Sequence, residues 1–136
     1  MTRFILIISL LVFCGCASVN TIQTEFSKIN YEDGVNVTEA KRIAQKFVMS
    51  HPTGRHFVIS AVEMYWDIGG RFKDLSKSSW IIDFPSKELF LLSPYYQSVF
   101  IVAIDKKTGY LRLAAVYKSG AYIEFASYGP EGIKVE

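Results

Sequence analysis

From Val99 to Tyr128 the chain alternates three apolar runs with two short joints, and that rhythm constrains the fold more than any other feature. The runs are Val99 to Ile104 (VFIVAI), Tyr110 to Tyr117 (YLRLAAVY) and Ala121 to Tyr128 (AYIEFASY). The joints are Asp105-Lys106-Lys107-Thr108-Gly109 and Lys118-Ser119-Gly120. Joints of this length, closed by glycine, are hairpin loops, and strands linked by so little chain must pair antiparallel. Two further strands precede them: Ser79 to Phe84 (SWIIDF), ended by Pro85, and Phe57 to Trp66 (FVISAVEMYW), whose alternation is imperfect. Asp67 to Ser76 is a turn region centred on Gly69-Gly70. Within Ser86 to Ser98, Leu89 to Leu92 is compatible with a helical turn or an edge strand, and Ser93 to Tyr96 with a loop.

Upstream of the strands the period changes. Val37, Ala40, Ile43, Ala44, Phe47 and Val48 fall at helical spacing, which predicts an amphipathic helix from Val37 to Ser50. Asn36 is placed to cap it, with Glu39 as the returning half of a capping box, and Pro52 and Gly54 end it. The expected architecture is therefore α+β, with one N-terminal helix packed on a curled antiparallel sheet of about five strands. The expected single domain runs over residues 36–136, with Ile22, Phe26 and Ile29 as isolated apolar residues in an otherwise polar approach. Phe26 and Ile29 are placed to dock on it as a short helical turn.

The start of the chain bears on location. Arg3 and the amino terminus form a short positive flank, and Phe4 to Phe13 (FILIISLLVF) is apolar but too short to span a bilayer as an anchor, the layout of a secretory signal. Val12-Phe13-Cys14-Gly15-Cys16 resembles the lipobox of bacterial lipoproteins, with a small residue before the cysteine that receives the lipid. That resemblance implies a signal peptide over residues 1–15, lipidation at Cys16 and a tether over residues 16–35. Ala17 in place of aspartate resembles the pattern of lipoproteins sent to the outer membrane, at its periplasmic face, in a Gram-negative cell. The alternative is an ordinary signal cleaved slightly later, with both cysteines incidental.

If cleavage falls before Cys16, no thiol remains in the folded part, so the fold holds without a disulfide and without a cysteine nucleophile or metal site. With 15 basic and 13 acidic residues the charge is near balance, which gives no reason to expect nucleic acid as a partner. Signals for catalysis are sparse. His51 and His56 flank Pro52 and Gly54, which excludes a helical metal pair, and both read as solvated loop residues. Glu63, Asp83 and Glu124 lie in strands and read as outward-facing. There is no nucleophile elbow and no phosphate loop. We therefore assign no catalytic residue, no metal ligand and no cofactor from the sequence. The aromatic residues are more informative: Trp66, Tyr95 and Tyr96 are the candidate binding residues, with the Tyr95-Tyr96 pair expected to be exposed in its loop.

Val99 to Leu113 (VFIVAIDKKTGYLRL) is similar to the closing hairpin of PepSY-type domains, and Val37 to Ala44 (VTEAKRIA) resembles their opening helix. Bacterial immunity-protein families with cystatin-like or nuclear-transport-factor-like folds share this helix, the Trp-containing strand (Ser79-Trp80-Ile81-Ile82) and the Asp-x-x-Thr-Gly hairpin. The resemblance implies a PepSY-like or cystatin-like domain; the first functional reading is a non-enzymatic, membrane-anchored lipoprotein that binds a protein partner, and its sharpest version, implied by the resemblance, is an immunity protein that blocks a toxin. A different outcome, a small-ligand or catalytic domain, would require a pocket between helix and sheet holding Glu63 or Glu124. A structural envelope component is the third reading.

Overall fold

The computed structural model describes residues 20–60, 63–64, 72–87, 95 and 97–136. Cys16 and the signal, Trp66, Tyr96, residues 67–71 of the expected turn region and residues 88–94 lie outside the described residues, as do the side chains of residues 63–64.

The helix α2 (Val37–Ser50) forms where its apolar period places it. The Asn36 side chain accepts hydrogen bonds from the Thr38 and Glu39 amides at 2.9 and 3.0 Å, and the Glu39 carboxylate accepts from the Asn36 amide at 2.9 Å. Both halves of the capping box are thus present, which stabilises the first turn by about 1 kcal/mol. Ala40, Ile43, Ala44 and Val48 are fully buried beneath the helix. It ends at Ser50, and Pro52–His56 follows as a single 3-10 turn that doubles back across the helix end. That close approach requires glycine at position 54, because a Cβ there would lie 1.7 Å from the Val48 carbonyl oxygen. Gly54→Ala is expected to lower stability by about 1–3 kcal/mol, read as a fall in the thermal midpoint.

The sheet is open and antiparallel, ordered β1 (Glu63–Met64), β2 (Ser79–Pro85), β3 (Val99–Asp105), β4 (Leu111–Lys118) and β5 (Ala121–Ser127). Four strands have full length. In place of a continuous Phe57 to Trp66 strand, the described residues show one bridge between Phe57 and Ser86, then the two-residue β1 opposite Ile82 and Asp83. Phe57 itself is extended, with its fully buried ring packed edge-on to Phe100 at a centroid distance of 5.3 Å, and a turn at residues 59–60 follows it. The last part of the expected turn region instead forms a short helix, α3 (Lys73–Ser78).

Both sheet faces are covered. On one, α2 packs against Ile82, Phe84, Phe100, Val102 and Ile104. On the other, Phe72 and Leu75 pack over Ile81, Ile101, Ala103 and Leu113. Burial on both sides explains why Val99–Asp105 reads as an unbroken apolar run instead of an alternating one.

Residues 20–26 (α1) are helical, Ile22 is buried, and Phe26, Ile29 and Tyr31 pack against the helix-side core. The stretch expected as a tether over residues 16–35 is therefore part of the folded unit from residue 20 onward. Val35 completes the junction: its carbonyl accepts the Trp80 indole N–H at 2.9 Å, and the Lys106 ammonium lies 4.8 Å from the Trp80 ring centroid.

The β3–β4 hairpin follows turn chemistry. Asp105 accepts from the Lys107 and Thr108 amides at 2.9 Å each, and Gly109 adopts φ 70°. A bulge places Arg112 between the Leu111 and Leu113 pairings, which frees its guanidinium to meet Asp105 at 2.9 Å.

Candidate functional site

The site begins with a second bulge. Val116 pairs with Glu124 but Tyr117 pairs with Tyr122, so Ile123 is the extra residue. In a regular strand Tyr122 and Glu124 would share a face. Here the bulge sends Tyr122 to the face of Tyr117 and Phe72, while Glu124 turns to the helix side. Glu124 is therefore not the outward-facing residue its sequence context predicts.

On the helix side, Glu124 is half-buried and its carboxylate is bound from two directions. The Thr53 hydroxyl lies 2.8 and 3.0 Å from its two oxygens, and the Tyr95 hydroxyl donates to Oε1 at 2.9 Å. Thr53 reaches it because the 3-10 turn aims the end of α2 at β5, with the Thr53 amide held at 3.2 Å by His51 Nδ1. The bond donated to Glu124, partial burial and the negative charge of Glu124 together raise the Tyr95 phenol above its ordinary value. Tyr95 is consequently a protonated donor at neutral pH.

Neither histidine is a solvated loop residue. His51 sits edge-on to Phe100 at 5.3 Å and tilted against Phe47 at 5.4 Å. His56 stacks on Tyr95 at 4.3 Å and accepts from Arg55 Nε at 3.2 Å. Tyr95, expected in an exposed pair, is turned inward between His56, Phe57 and Glu124. Asp83 is half-buried on the face opposite α2, in register with Ile101.

Beside Glu124 lies an open recess of about 180 Å³. Its floor is hollow because Ala114 and Ala126 face each other across β4 and β5, and two methyl groups leave room that larger side chains would fill. The helix α2 packs over β2 and β3, and the recess lies to one side of it, over β4 and β5. His51 and Phe100 form one wall and Glu124 the other.

The Glu124 carboxylate is oriented by two hydroxyls, and the ion pairs of the described residues do not include it. With Nδ1 accepting from Thr53, a neutral His51 carries its proton on Nε2. Among the described residues no cluster of three or more His, Cys, Asp or Glu side chains is placed to hold a metal ion. Of the sequence-derived candidates Trp66, Tyr95 and Tyr96, the described residues place only Tyr95, and they bring it to this site. Sequence reasoning missed Thr53 and His51 and left Glu124 only as a condition on the ligand-binding reading; a glutamate in a strand of otherwise uncharged residues was the signal.

Among the described residues no helix is long and apolar enough to cross a membrane. Compared with known proteins, the chain matches no family model, no curated protein and no solved structure. The described residues therefore define a structural class alone: an α+β domain with an open antiparallel sheet and, at one end, a recess lined mostly by apolar side chains together with His51 and Glu124.

Proposed function

We propose that the protein is a lipid-anchored envelope protein whose domain binds a protein partner without catalysing a reaction. The observation that carries the binding role is the aromatic strip on β5. Phe125 is 54% exposed and Ile123 41%, and the Phe125 ring lies 5.1 Å from Tyr122, which in turn meets Tyr117 at 5.3 Å. Large apolar side chains left in water together on a small domain mark an interaction surface. An immunity protein that neutralises a toxin is the sharpest form of this reading, and it rests on the resemblance of the helix and hairpin to those families.

The anchoring half rests on the apolar leader and the lipobox-like run ending at Cys16. Cys16→Ser is expected to abolish metabolic labelling by a fatty acid and to move the protein from the membrane to the soluble fraction. Retention of both label and membrane association in the variant would refute lipidation at Cys16. For the binding half, the full chain tagged at its C-terminus is purified from its own cells in mild detergent, and a stoichiometric co-purifying protein is the expected result. Recovery of the chain alone, folded, would refute the protein-binding role.

A second reading is favoured by one observation, the recess holding Glu124. A free small molecule bearing an ammonium or guanidinium group fits the same carboxylate, and it would be retained by the chain in the absence of any protein partner.

A further inference from the structure

We infer that the partner docks as an extended strand along the open edge of β5 and inserts a lysine or arginine side chain into the recess, onto Glu124. This deepens the protein-binding role proposed above and rests on it.

Three features of β5 point to this occupant. First, among the described residues β5 is the terminal strand of the sheet, and none of them pairs with its outer edge. The Tyr128 amide bonds the Arg112 carbonyl, which sets the phase of the antiparallel ladder. Glu124 and Ala126 then bond inward to β4, and Phe125 and Ser127 turn their N–H and C=O groups to the open edge. Second, Ala121–Ser127 contains neither the lysine nor the proline that often blunts an exposed edge; its one edge irregularity is the bulge at Ile123, beyond which Glu124 to Ser127 pair in regular register. Third, the two faces of the edge differ. A strand added beside β5 alternates its side chains between faces. On the outer face it meets Phe125 and Tyr122; on the helix side it meets Glu124 and the hollow over Ala114 and Ala126.

The chemistry of the occupant follows from charge. Glu124 is oriented and partly desolvated but satisfied only by hydroxyls, so a cation entering the recess gains a charge-assisted bond that the free domain does not make. The methylenes of a lysine or arginine would cover the alanine floor while the head group reaches the carboxylate. A second copy of this chain is the poorer occupant. Antiparallel pairing of β5 with itself brings two Glu124 carboxylates to the same edge with no cation in either strand. The expected segment carries a basic residue next to an apolar one, the first for the recess and the second for Phe125.

The test is a selection of random nonapeptides displayed on phage against the immobilised full chain in mild detergent, followed by titration of the selected peptides. Enrichment of sequences with Lys or Arg adjacent to an apolar residue is expected. Their affinity should fall at least about tenfold on Glu124→Gln, and similarly on Ala126→Leu, which fills the hollow, in variants whose circular dichroism and thermal midpoint show them folded. In amide spectra the selected peptides should shift Phe125 and Ser127. Selected peptides without a basic residue, affinity unchanged by Glu124→Gln, no selection at all, or a dimer formed through β5 would each overturn the inference. A stoichiometric cellular partner held equally well by the Glu124→Gln chain would also refute this docking mode while leaving the binding role standing, and the two are thereby distinguished.

Discussion

Phe100→Ala is expected to lower the free energy of unfolding by about 3–5 kcal/mol, the range for removing a fully buried aromatic ring. Phe100 is 1% exposed and lies on β3 beneath the end of α2 and the 3-10 turn. Its ring is met edge-on by Phe57 at 5.3 Å, by His51 at 5.3 Å and by Phe47 at 6.3 Å. Truncation leaves a hollow between α2, the 3-10 turn and the sheet that these rings cannot close, because each is held by its own backbone element. Urea titration followed by tryptophan fluorescence measures the loss, and a change under about 1 kcal/mol would show that the core repacks around the gap. Phe100 also walls the recess, so the variant should weaken partner binding even below its unfolding temperature.

The second large effect is expected at Asp105, where replacement by alanine should cost about 3 kcal/mol. Its carboxylate accepts from the Lys107 and Thr108 amides and from Arg112, and the Asp105 and Arg112 side chains are only 12% and 16% exposed. Removing the acid leaves two turn amides without a partner and a largely buried guanidinium without its counter-ion. Arg112 keeps one bond, from Nε to the Gly129 carbonyl at 2.6 Å, which limits the damage.

The same residue sets an acid dependence. Burial pushes the Asp105 carboxyl up, but the Thr108 and Lys107 amides and the Arg112 guanidinium outweigh it and hold the group below the usual aspartate value. A group depressed in the folded state stabilises the fold at pH values above its unfolded pKa, about 3.9, and that contribution disappears as pH falls through the lower folded value. The wild-type chain should therefore lose this increment below about pH 4, whereas Asp105→Asn should show a flatter stability profile over the same interval. Identical acid slopes for the two chains would remove Asp105 as the cause.

The helix Val37–Ser50, its capping box and both C-terminal hairpins depend on neighbours within a few residues, so spacing and turn chemistry announce them. The docking of residues 20–35 was visible only as Phe26 and Ile29 at helical spacing. What holds that segment is Trp80, forty-five positions away from Val35 in sequence, through a hydrogen bond no local pattern implies. The expected Phe57 to Trp66 strand is interrupted among its described residues by a turn at residues 59–60, and its apolar pattern does not reveal that Phe100 and Tyr95 pack on Phe57.

By itself, then, the sequence determined the α+β class, the antiparallel sense of the hairpins, the capped helix and the turn role of Asp105 and Gly109, because each arises from periodicity or short-range hydrogen bonding. Only the tertiary structure decided the site. One extra residue at Ile123 reverses the facing of Glu124 relative to Tyr122, and a single 3-10 turn then carries Thr53 to it, while Tyr95 arrives from a separate loop. A strand's side chains alternate with period two, so a one-residue bulge exchanges inside for outside without leaving a mark in composition or spacing.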